Sequence, residues 1–204
     1  MIKAIIFDFG NVIGKFTNEI FMGKVSNLTG KSKEEIFELI YKKSGLPEKF
    51  ETGLISSQDF FEEISKLCGL KVSYEELKDI YSKDKFTLIE GMTELIESLK
   101  ENYKIGLLSN TSEWDFDYMM KTVPMIKTFD TITTSFKVKA MKPNPKIWED
   151  ALNKLQLKAE ECVYADDILE YAETAEKLGF KAVQFVDTEK FKSDLKSFGV
   201  EIKL

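Results

Sequence analysis

The sequence IIFDFGNVIG, residues 5–14, decides the fold of this chain of 204 residues. It is an apolar run that stops at one carboxylate, Asp8, which is soon followed by Gly10 and Asn11. Continuous apolar runs are typical of inner strands in parallel sheets, because such strands are buried on both faces. We therefore predict that residues 3–8 form an inner strand and that Asp8 lies at its carboxyl end.

The chain from about residue 86 onward repeats this pattern, with apolar strands alternating with amphipathic helices. Such alternation predicts βαβ units, and therefore an α/β fold with a parallel sheet and helices on both faces. Strands are predicted at 103–110, 131–135, 161–167 and 181–186, and helices at 90–100, 114–121, 145–155, 169–178 and in the lysine-rich stretch before the final VEIKL.

Residues 16–85 have a different pattern, which contains helical stretches and no convincing strand. The predicted helices cover 17–28, 32–43, 56–68 and 73–82, and the pairs Ser32 with Glu35 and Ser73 with Glu76 have capping-box spacing. We predict two domains: a core formed by residues 1–15 and 86–204, and a helical cap formed by 16–85. Because ligands of open α/β sheets bind beyond the carboxyl ends of the strands, the cap would cover that crevice.

The composition is that of an ordinary soluble protein, with 43% apolar and 31% charged residues. The net charge of -6 argues against nucleic acid as a partner, since phosphates attract a basic surface. No stretch approaches the roughly 20 apolar residues of a membrane span, and the first residues lack the apolar region of a signal peptide. We expect a cytoplasmic protein with no membrane partner, either a monomer or a weak homodimer.

The absence of histidine and arginine excludes several kinds of chemistry, because all 29 basic residues are lysines. Catalysis by Ser-His-Asp or Cys-His groups, most zinc sites and any arginine finger are ruled out. The two cysteines, Cys68 and Cys162, lie in apolar surroundings and are best interpreted as buried free thiols. Carboxylates, lysines, hydroxyls, amides and a bound hard cation remain available for catalysis.

Polar residues end the predicted strands at what should be one edge of the sheet. Clustered carboxylates repel one another, so they share protons or bind a cation, and a site made only of oxygen ligands favours Mg²⁺. A cation together with a lysine would attract a phosphate, whose oxygens the hydroxyl and amide could hold, while a carboxylate could serve as nucleophile. The residues concerned are Asp8, Ser109, Asn110, Lys142, Asp166 and Asp167.

Each of these residues also has a simpler interpretation. Asp8 could cap a turn, Ser109 and Asn110 could form an ordinary strand-end turn, and Asp166 with Asp167 could cap the following helix. Lys142 could be one surface charge among many. Only the convergence of the whole set favours a catalytic site.

The set resembles the motifs of the haloacid dehalogenase (HAD) superfamily, subfamily IA, with a type-1 helical cap. The four stretches FDFGNV, LLSNT, MKPNP and YADD occur in the family's order, and the helical insert follows the first of them. The form FDFGNV, together with FETGLISSQDFFEEI (50–64), is most similar to the α-D-glucose-1-phosphate phosphatase branch.

The resemblance implies a Rossmann-like sheet, Mg²⁺ as cofactor and hydrolysis of a small phosphorylated metabolite, such as a sugar phosphate, through an aspartyl-phosphate. Asp8 matches the nucleophile and Ser109 and Lys142 match the phosphate holders. Asp167 matches the main acidic metal ligand, with Asp166 beside it as an outer-sphere partner.

Two positions depart from the family pattern. Gly10 stands where most of these phosphatases have a second aspartate, so the backbone carbonyl that reaches the metal is retained while the proton donor is lost. Tyr171 stands where an outer metal support is often found. Without an acid, we expect aryl and anomeric phosphates to react faster than alkyl phosphates, unless a cap carboxylate such as Glu51 supplies the proton.

Two alternatives to phosphate hydrolysis follow from these residues. One is 2-haloacid dehalogenation by Asp8, which requires no metal and is opposed by the pair Asp166 and Asp167. The other is a weakly active or inactive binding protein, because the acid is lost at Gly10. The sequence does not specify the substrate, since specificity would depend on the geometry of the cap.

Overall fold

A computed structural model describes residues 1–203 and contains a parallel sheet of five strands in the order β5-β4-β1-β6-β7. The predicted α/β fold class is confirmed, because helices cover both faces of this sheet. A separate antiparallel pair joins β2 and β3. The strands are β1 Ala4–Phe7, β2 Gly14–Phe16, β3 Phe86–Leu88, β4 Lys104–Ser109, β5 Thr131–Thr134, β6 Cys162–Asp166 and β7 Lys181–Gln184.

The helices fall into a group between β2 and β3 and a group that alternates with the remaining strands. The first group is α1 Glu19–Thr29, α2 Lys33–Phe37, α3 Leu46–Glu51, α4 Ser57–Cys68 and α5 Tyr74–Ser82. The second group is α6 Met92–Leu99, α7 Glu113–Thr122, α8 Ser135–Val138, α9 Lys146–Leu155, α10 Leu169–Lys177 and α11 Thr188–Ser197. A π-helix at Glu38–Ser44 and short 3₁₀ turns at Pro124–Thr128 and Ala159–Glu161 complete the chain.

Strand β1 lies at the centre of the sheet and is buried on both faces, as its apolar run predicts. Ile5 and Phe7 pack into the cluster that includes α6, α7 and α11, whereas Ile6 packs against α9 and α10. This alternation follows from the two-residue period of a strand. Burial of side chains of this size stabilises the fold by roughly 1.5–3 kcal/mol each.

The helices between β2 and β3 have an apolar cluster of their own. Phe50 and Phe60 stack within it with ring centroids 4.2 Å apart. Trp114 of α7 completes the cluster, and its indole N–H donates a hydrogen bond to the Tyr74 hydroxyl at 2.9 Å. Trp114 therefore packs the sheet domain directly against the helices above it.

These helices differ from the sequence prediction at two points, the first of which is that α3, Leu46–Glu51, was not predicted. The predicted helix 32–43 ends as an α-helix at Phe37 and continues as a π-helix to Ser44. Both predicted capping boxes, at Ser32 and at Ser73, are present and fix where α2 and α5 begin.

The chain leaves the sheet domain and returns to it through two adjacent strands. The sequence predicts no strand within residues 16–85. Phe16 nevertheless belongs to β2 and pairs with Phe86 of β3, so this prediction is wrong at residue 16. The backbone N–H of Thr17 donates to the carbonyl of Lys85 at 2.8 Å and extends this pairing. On this basis, we propose that residues 1–15 and 86–204 form the core domain and that residues 16–85 form the cap domain.

Two further expectations concern the cysteines and the membrane. Cys68 and Cys162 are both free and buried. Burial raises the pKa of the Cys162 thiol to about 12, so this thiol is unreactive. Among residues 1–203, every helix falls short of the length and apolarity needed to cross a bilayer.

Candidate active site

The carboxylates of Asp8, Asp166 and Asp167 meet at the carboxyl edge of the sheet. Asp8 directly follows β1, and the pair lies at the end of β6, which is the neighbouring parallel strand. One carboxylate oxygen from each residue lies within 4.8 Å of the others. The register of the two strands causes this meeting, since Phe7 pairs with Ala165 and the next residues are therefore adjacent.

Lys142 inserts its ammonium group between two of these carboxylates. Its Nζ lies 3.0 Å from Asp8 Oδ1 and 2.6 Å from Asp166 Oδ2, and the side chain is almost fully buried. Burial alone would lower the pKa of Lys142, but the charges of Asp8 and Asp166 outweigh it and hold that pKa above its ordinary value. The site therefore contains a fixed positive charge beside the predicted nucleophile.

Asp8 is nearly inaccessible, with 7% of its surface exposed. Burial is the main reason that its pKa rises to about 6; the Asp166 charge adds to the rise and Lys142 opposes it. A raised pKa means that the charged form of Asp8 is disfavoured in this pocket, so a further positive charge beside it would be stabilising.

The Asp166 carboxylate accepts more hydrogen bonds than the carboxylates of Asp8 and Asp167. Its carboxylate accepts from Lys142 Nζ, from the Tyr164 hydroxyl and, at 3.0 Å, from the backbone N–H of Ile168. A carboxylate with three donors suits a supporting position behind the metal ligands, which is where the sequence predicts it.

Asn11 is a site residue that the sequence reasoning did not assign. Its side-chain amide donates to Asp167 Oδ2 at 3.0 Å, and its carbonyl oxygen accepts from the backbone N–H of Phe16 at 3.2 Å. Asn11 has a φ of 52°, in the left-handed region that asparagine enters more readily than most residues. An asparagine three residues after the nucleophile was the available signal.

The predicted phosphate holders Ser109 and Asn110 lie at the end of β4, beside Asp8. Ser109 is buried and lines the cavity. The Asn110 amide donates to the Lys142 carbonyl at 3.2 Å and accepts from the Lys142 N–H at 2.8 Å, and its contact with phosphate stays a prediction. Its side chain therefore holds the backbone of Lys142, while Asp8 and Asp166 hold the ammonium group.

The donor set fits a hard divalent cation such as Mg²⁺. The ligand atoms available are carboxylate oxygens of Asp8 and Asp167, and the Gly10 carbonyl accepts no hydrogen bond within residues 1–203. A site made only of oxygens suits Mg²⁺, which prefers such ligands to nitrogen or sulfur.

A cavity of about 310 Å³ extends from these carboxylates to the cap helices. Its lining includes Glu51, Lys85 and Asp115, none of which was placed by the sequence. Lys85 is buried and its Nζ lies 3.1 Å and 3.2 Å from the two Asp115 carboxylate oxygens. The same ammonium lies 3.4 Å from the centroid of the Tyr81 ring.

Tyr171, which departs from the family pattern, also lines the cavity. Its ring centroid lies 5.1 Å from Lys142 Nζ, which is within the range of a cation–π contact. Tyr171 therefore covers the lysine, and it cannot supply a carboxylate or amide to the metal support.

Comparison with known proteins places the chain in a family. Residues 5–185 match the family model of haloacid dehalogenase-like hydrolases. The chain is 24% identical over 190 residues to the D-ribitol-5-phosphate phosphatase of Bacteroides thetaiotaomicron. This alignment covers 90% of this chain and 92% of that protein.

Solved structures share the fold over nearly the whole chain. A predicted HAD-like family hydrolase from Porphyromonas gingivalis is 26% identical, covers 98% of this chain and 99% of its own, and superposes with a TM-score of 0.82. A HAD family enzyme from Bacteroides thetaiotaomicron, in complex with magnesium and inorganic phosphate, is 23% identical, covers 92% and 96%, and has a TM-score of 0.81. The chain therefore belongs to the haloacid dehalogenase-like hydrolases.

Proposed function

We propose that this hydrolase is a Mg²⁺-dependent phosphomonoesterase, which acts on a small sugar phosphate or similar metabolite through an aspartyl-phosphate. The observation that carries the proposal is the meeting of three carboxylates with a buried lysine at one end of a cavity. Relatives named as phosphatases, and a neighbour bound to magnesium and phosphate, support it.

Each residue of the site has a role in this reaction. Asp8 attacks phosphorus, and the leaving oxygen departs into the part of the cavity beneath the cap helices. Lys142 holds one phosphoryl oxygen and balances the charge that develops on it, because its ammonium lies beside the attacking carboxylate. Ser109 donates to a second phosphoryl oxygen. Asn110 acts through Lys142, whose backbone it holds.

The carboxylates of Asp8 and Asp167 and the Gly10 carbonyl would hold the cation, with Asp166 and Asn11 behind them. When bound, the cation supplies charge neutralisation for the phosphoryl group. Asp8 is buried in this chain and lacks a second positive partner besides Lys142 within residues 1–203, which supports such a requirement.

Two other functions compete with this one. Dehalogenation would need Asp8 and a lysine but no cluster of carboxylates, so Asp166 and Asp167 favour the phosphatase. A lysine buried between two carboxylates is costly to desolvate, so its use in neutralising phosphoryl charge favours the phosphatase over an inactive binding protein.

A phosphate-release assay with excess Mg²⁺ or with a chelator tests the proposal. We expect turnover that needs Mg²⁺ and that falls more than about a thousandfold in Asp8→Asn and Asp167→Asn variants, because nucleophile and metal ligand are essential. Asp79→Asn is the control, since Asp79 is exposed on α5 and belongs neither to the carboxylate cluster nor to the lining of the cavity. It should retain wild-type turnover.

The rival functions give different results in the same experiment. Chelator-resistant release of halide from a 2-haloacid would favour the dehalogenase. A folded protein that hydrolyses no phosphate ester at any Mg²⁺ concentration would favour the binding protein.

The substrate and setting follow from the same proposal. The cavity volume of about 310 Å³ suits a small phosphorylated metabolite. Membership of the α-D-glucose-1-phosphate phosphatase branch, a cytoplasmic location and a monomeric or weakly dimeric state stay predictions from the sequence.

A further inference from the structure

The candidate site lacks a proton donor where the family usually has one. Gly10 occupies that position, and a Cβ built there would meet only Asp8 Oδ2, at 3.6 Å. A Cβ atom would therefore fit at this position, while the acid itself is missing. An alkoxide leaving group is a poor one without a proton, so any hydrolysis of alkyl phosphates needs a donor from elsewhere.

The cavity offers few groups that could fill this role. Asp8 and Asp167 belong to the nucleophile and metal positions. Asp115 accepts hydrogen bonds from Lys85 Nζ and, at 3.1 Å, from the Ser112 hydroxyl, so its oxygens are occupied. Lys85 is itself committed to Asp115. Glu51 is the remaining carboxyl group that lines the cavity.

Glu51 is held beside the strand edge by two contacts through its backbone segment. As the last residue of α3, it accepts a hydrogen bond on its carbonyl from Ser135 Oγ at 2.5 Å. The same hydroxyl accepts from the backbone N–H of Thr111, which lies two residues beyond Ser109, at 2.9 Å. Lys139 Nζ donates to the carbonyl of Gly53 and anchors the turn that follows α3.

The Glu51 carboxyl receives no hydrogen bond from any group within residues 1–203. It is thus free to donate to a leaving group, whereas Asp115 is bound by Lys85 and Ser112, and Asp8 and Asp167 occupy the nucleophile and metal positions. Its surroundings also favour the neutral form: burial and the Asp115 charge raise the pKa of Glu51 to about 7, against the opposing charge of Lys85. The other titratable groups that act on it or respond to it are Glu48 of its own helix, Tyr41 of the π-helix and Tyr81 of α5.

We propose that Glu51 is the general acid that protonates the leaving oxygen in this enzyme, in place of the missing aspartate at position 10. The proposal rests on the proposed phosphatase function and adds to it a catalytic residue supplied by the cap. The cavity is the geometric basis, because its lining includes both the nucleophile Asp8 and the free carboxyl group of Glu51 on the cap.

The chemistry balances over the two steps of the reaction. In the first step, an Asp8 oxygen bonds to phosphorus, and the bond from phosphorus to the leaving oxygen breaks. The electron pair stays on that oxygen, which takes the Glu51 proton. In the second step, water attacks the aspartyl-phosphate and gives a proton to the Glu51 carboxylate. The bond between phosphorus and Asp8 then breaks, which regenerates both carboxyl groups.

The test compares leaving groups that differ in their need for a proton. Wild type, Glu51→Gln and Glu48→Gln are assayed for kcat/KM on glycerol phosphate and on p-nitrophenyl phosphate, with saturating Mg²⁺. Because p-nitrophenolate leaves without protonation, Glu51→Gln should retain p-nitrophenyl phosphate hydrolysis within a fewfold. It should lose about 10²–10⁴-fold on glycerol phosphate, the usual contribution of a general acid. Glu48→Gln removes an exposed carboxylate from the same helix and should match wild type on both substrates.

The pH profile gives a second readout that a structural role would not produce. The protonated form of Glu51 is the active one, so wild-type kcat/KM on glycerol phosphate should fall as pH rises through its pKa. Glu51→Gln should lack this descending limb, because its amide does not titrate. The pH profile of kcat/KM on p-nitrophenyl phosphate should be the same in wild type and in Glu51→Gln.

Other outcomes would overturn the proposal. Equal losses on both substrates would assign Glu51 to structure or substrate binding. Unchanged hydrolysis of glycerol phosphate in Glu51→Gln, or a wild type that hydrolyses only the aryl ester, would show that Glu51 donates no proton. Failure of the phosphatase function itself would be distinct, since wild type would then hydrolyse neither ester.

Discussion

Replacing Lys142 with methionine tests the electrostatics on which the site depends. Methionine keeps most of the apolar stem but removes the ammonium that lies 3.0 Å from Asp8 and 2.6 Å from Asp166. Both carboxylates are nearly inaccessible, so they cannot regain their hydration in the variant. Removing one partner of a buried ion pair typically costs about 3–5 kcal/mol, because the remaining charge is left uncompensated.

We therefore expect Lys142→Met to lower the free energy of unfolding by about 3–5 kcal/mol near neutral pH in the presence of a chelator. Denaturant titration monitored by the fluorescence of the buried Trp114 and Trp148 measures it. Lys78→Met is the matched control, since Lys78 forms an exposed ion pair with Asp117 at 2.7 Å and should lose at most about 1 kcal/mol.

Magnesium provides a further comparison in the same variant. A cation bound by Asp8 and Asp167 stabilises the folded state increasingly as its concentration rises above its Kd, and should recover part of the loss in Lys142→Met. A loss in chelator no larger than that of Lys78→Met would refute the reasoning, because Lys142 would then not compensate buried charge.

Two smaller predictions concern the neighbours of the site and of the central strand. Asn11→Gly keeps the left-handed backbone but removes the hydrogen bond to Asp167. The affinity for Mg²⁺, measured by calorimetry, should therefore fall about 10–100-fold. Unchanged affinity would exclude Asn11 from the support of the metal ligands. Gly106→Ala would place a Cβ 2.9 Å from Thr131 Cγ2 and 3.1 Å from Ile6 Cγ1. Thermal denaturation should therefore show a free energy of unfolding lowered by about 1–3 kcal/mol. Wild-type stability would mean that these side chains move aside at no cost.

The sheet and the residues at its carboxyl edge were predictable because both depend on local patterns. An apolar run that ends in Asp8 specifies an inner strand and the place of its last residue. The parallel pairing of β1 with β6 then brings Asp8 to Asp166 and Asp167, with no information needed beyond strand order.

The contacts of the cap were not predictable for the opposite reason. Glu51 reaches the cavity through a hydrogen bond to Ser135, which lies 84 positions away along the chain. No periodicity relates two such residues, and the same holds for Lys85 with Asp115. The sequence named Glu51 only as one carboxylate that could replace the acid.

The role of Asn110 shows a third kind of limit. Its position beside Ser109 was predicted, but an amide at a strand end can face a ligand or a neighbouring loop equally well. The loop that carries Lys142 supplies both a donor and an acceptor to this amide, and these bonds determine its orientation. The break of the predicted helix 32–43 at Phe37 has no signal in the sequence that we can identify.

The chemical identity of the covalent intermediate tests the central claim most directly. Wild-type protein is mixed with a radiolabelled phosphate ester and Mg²⁺, quenched in acid within a single turnover, digested and mapped by mass spectrometry. We predict labelled phosphate on the peptide that contains Asp8, with none in Asp8→Asn and none when a chelator replaces Mg²⁺. A wild type that carries the label on another residue, or an Asp8→Asn variant that turns over the ester as fast as wild type, would contradict the claim that Asp8 attacks phosphorus.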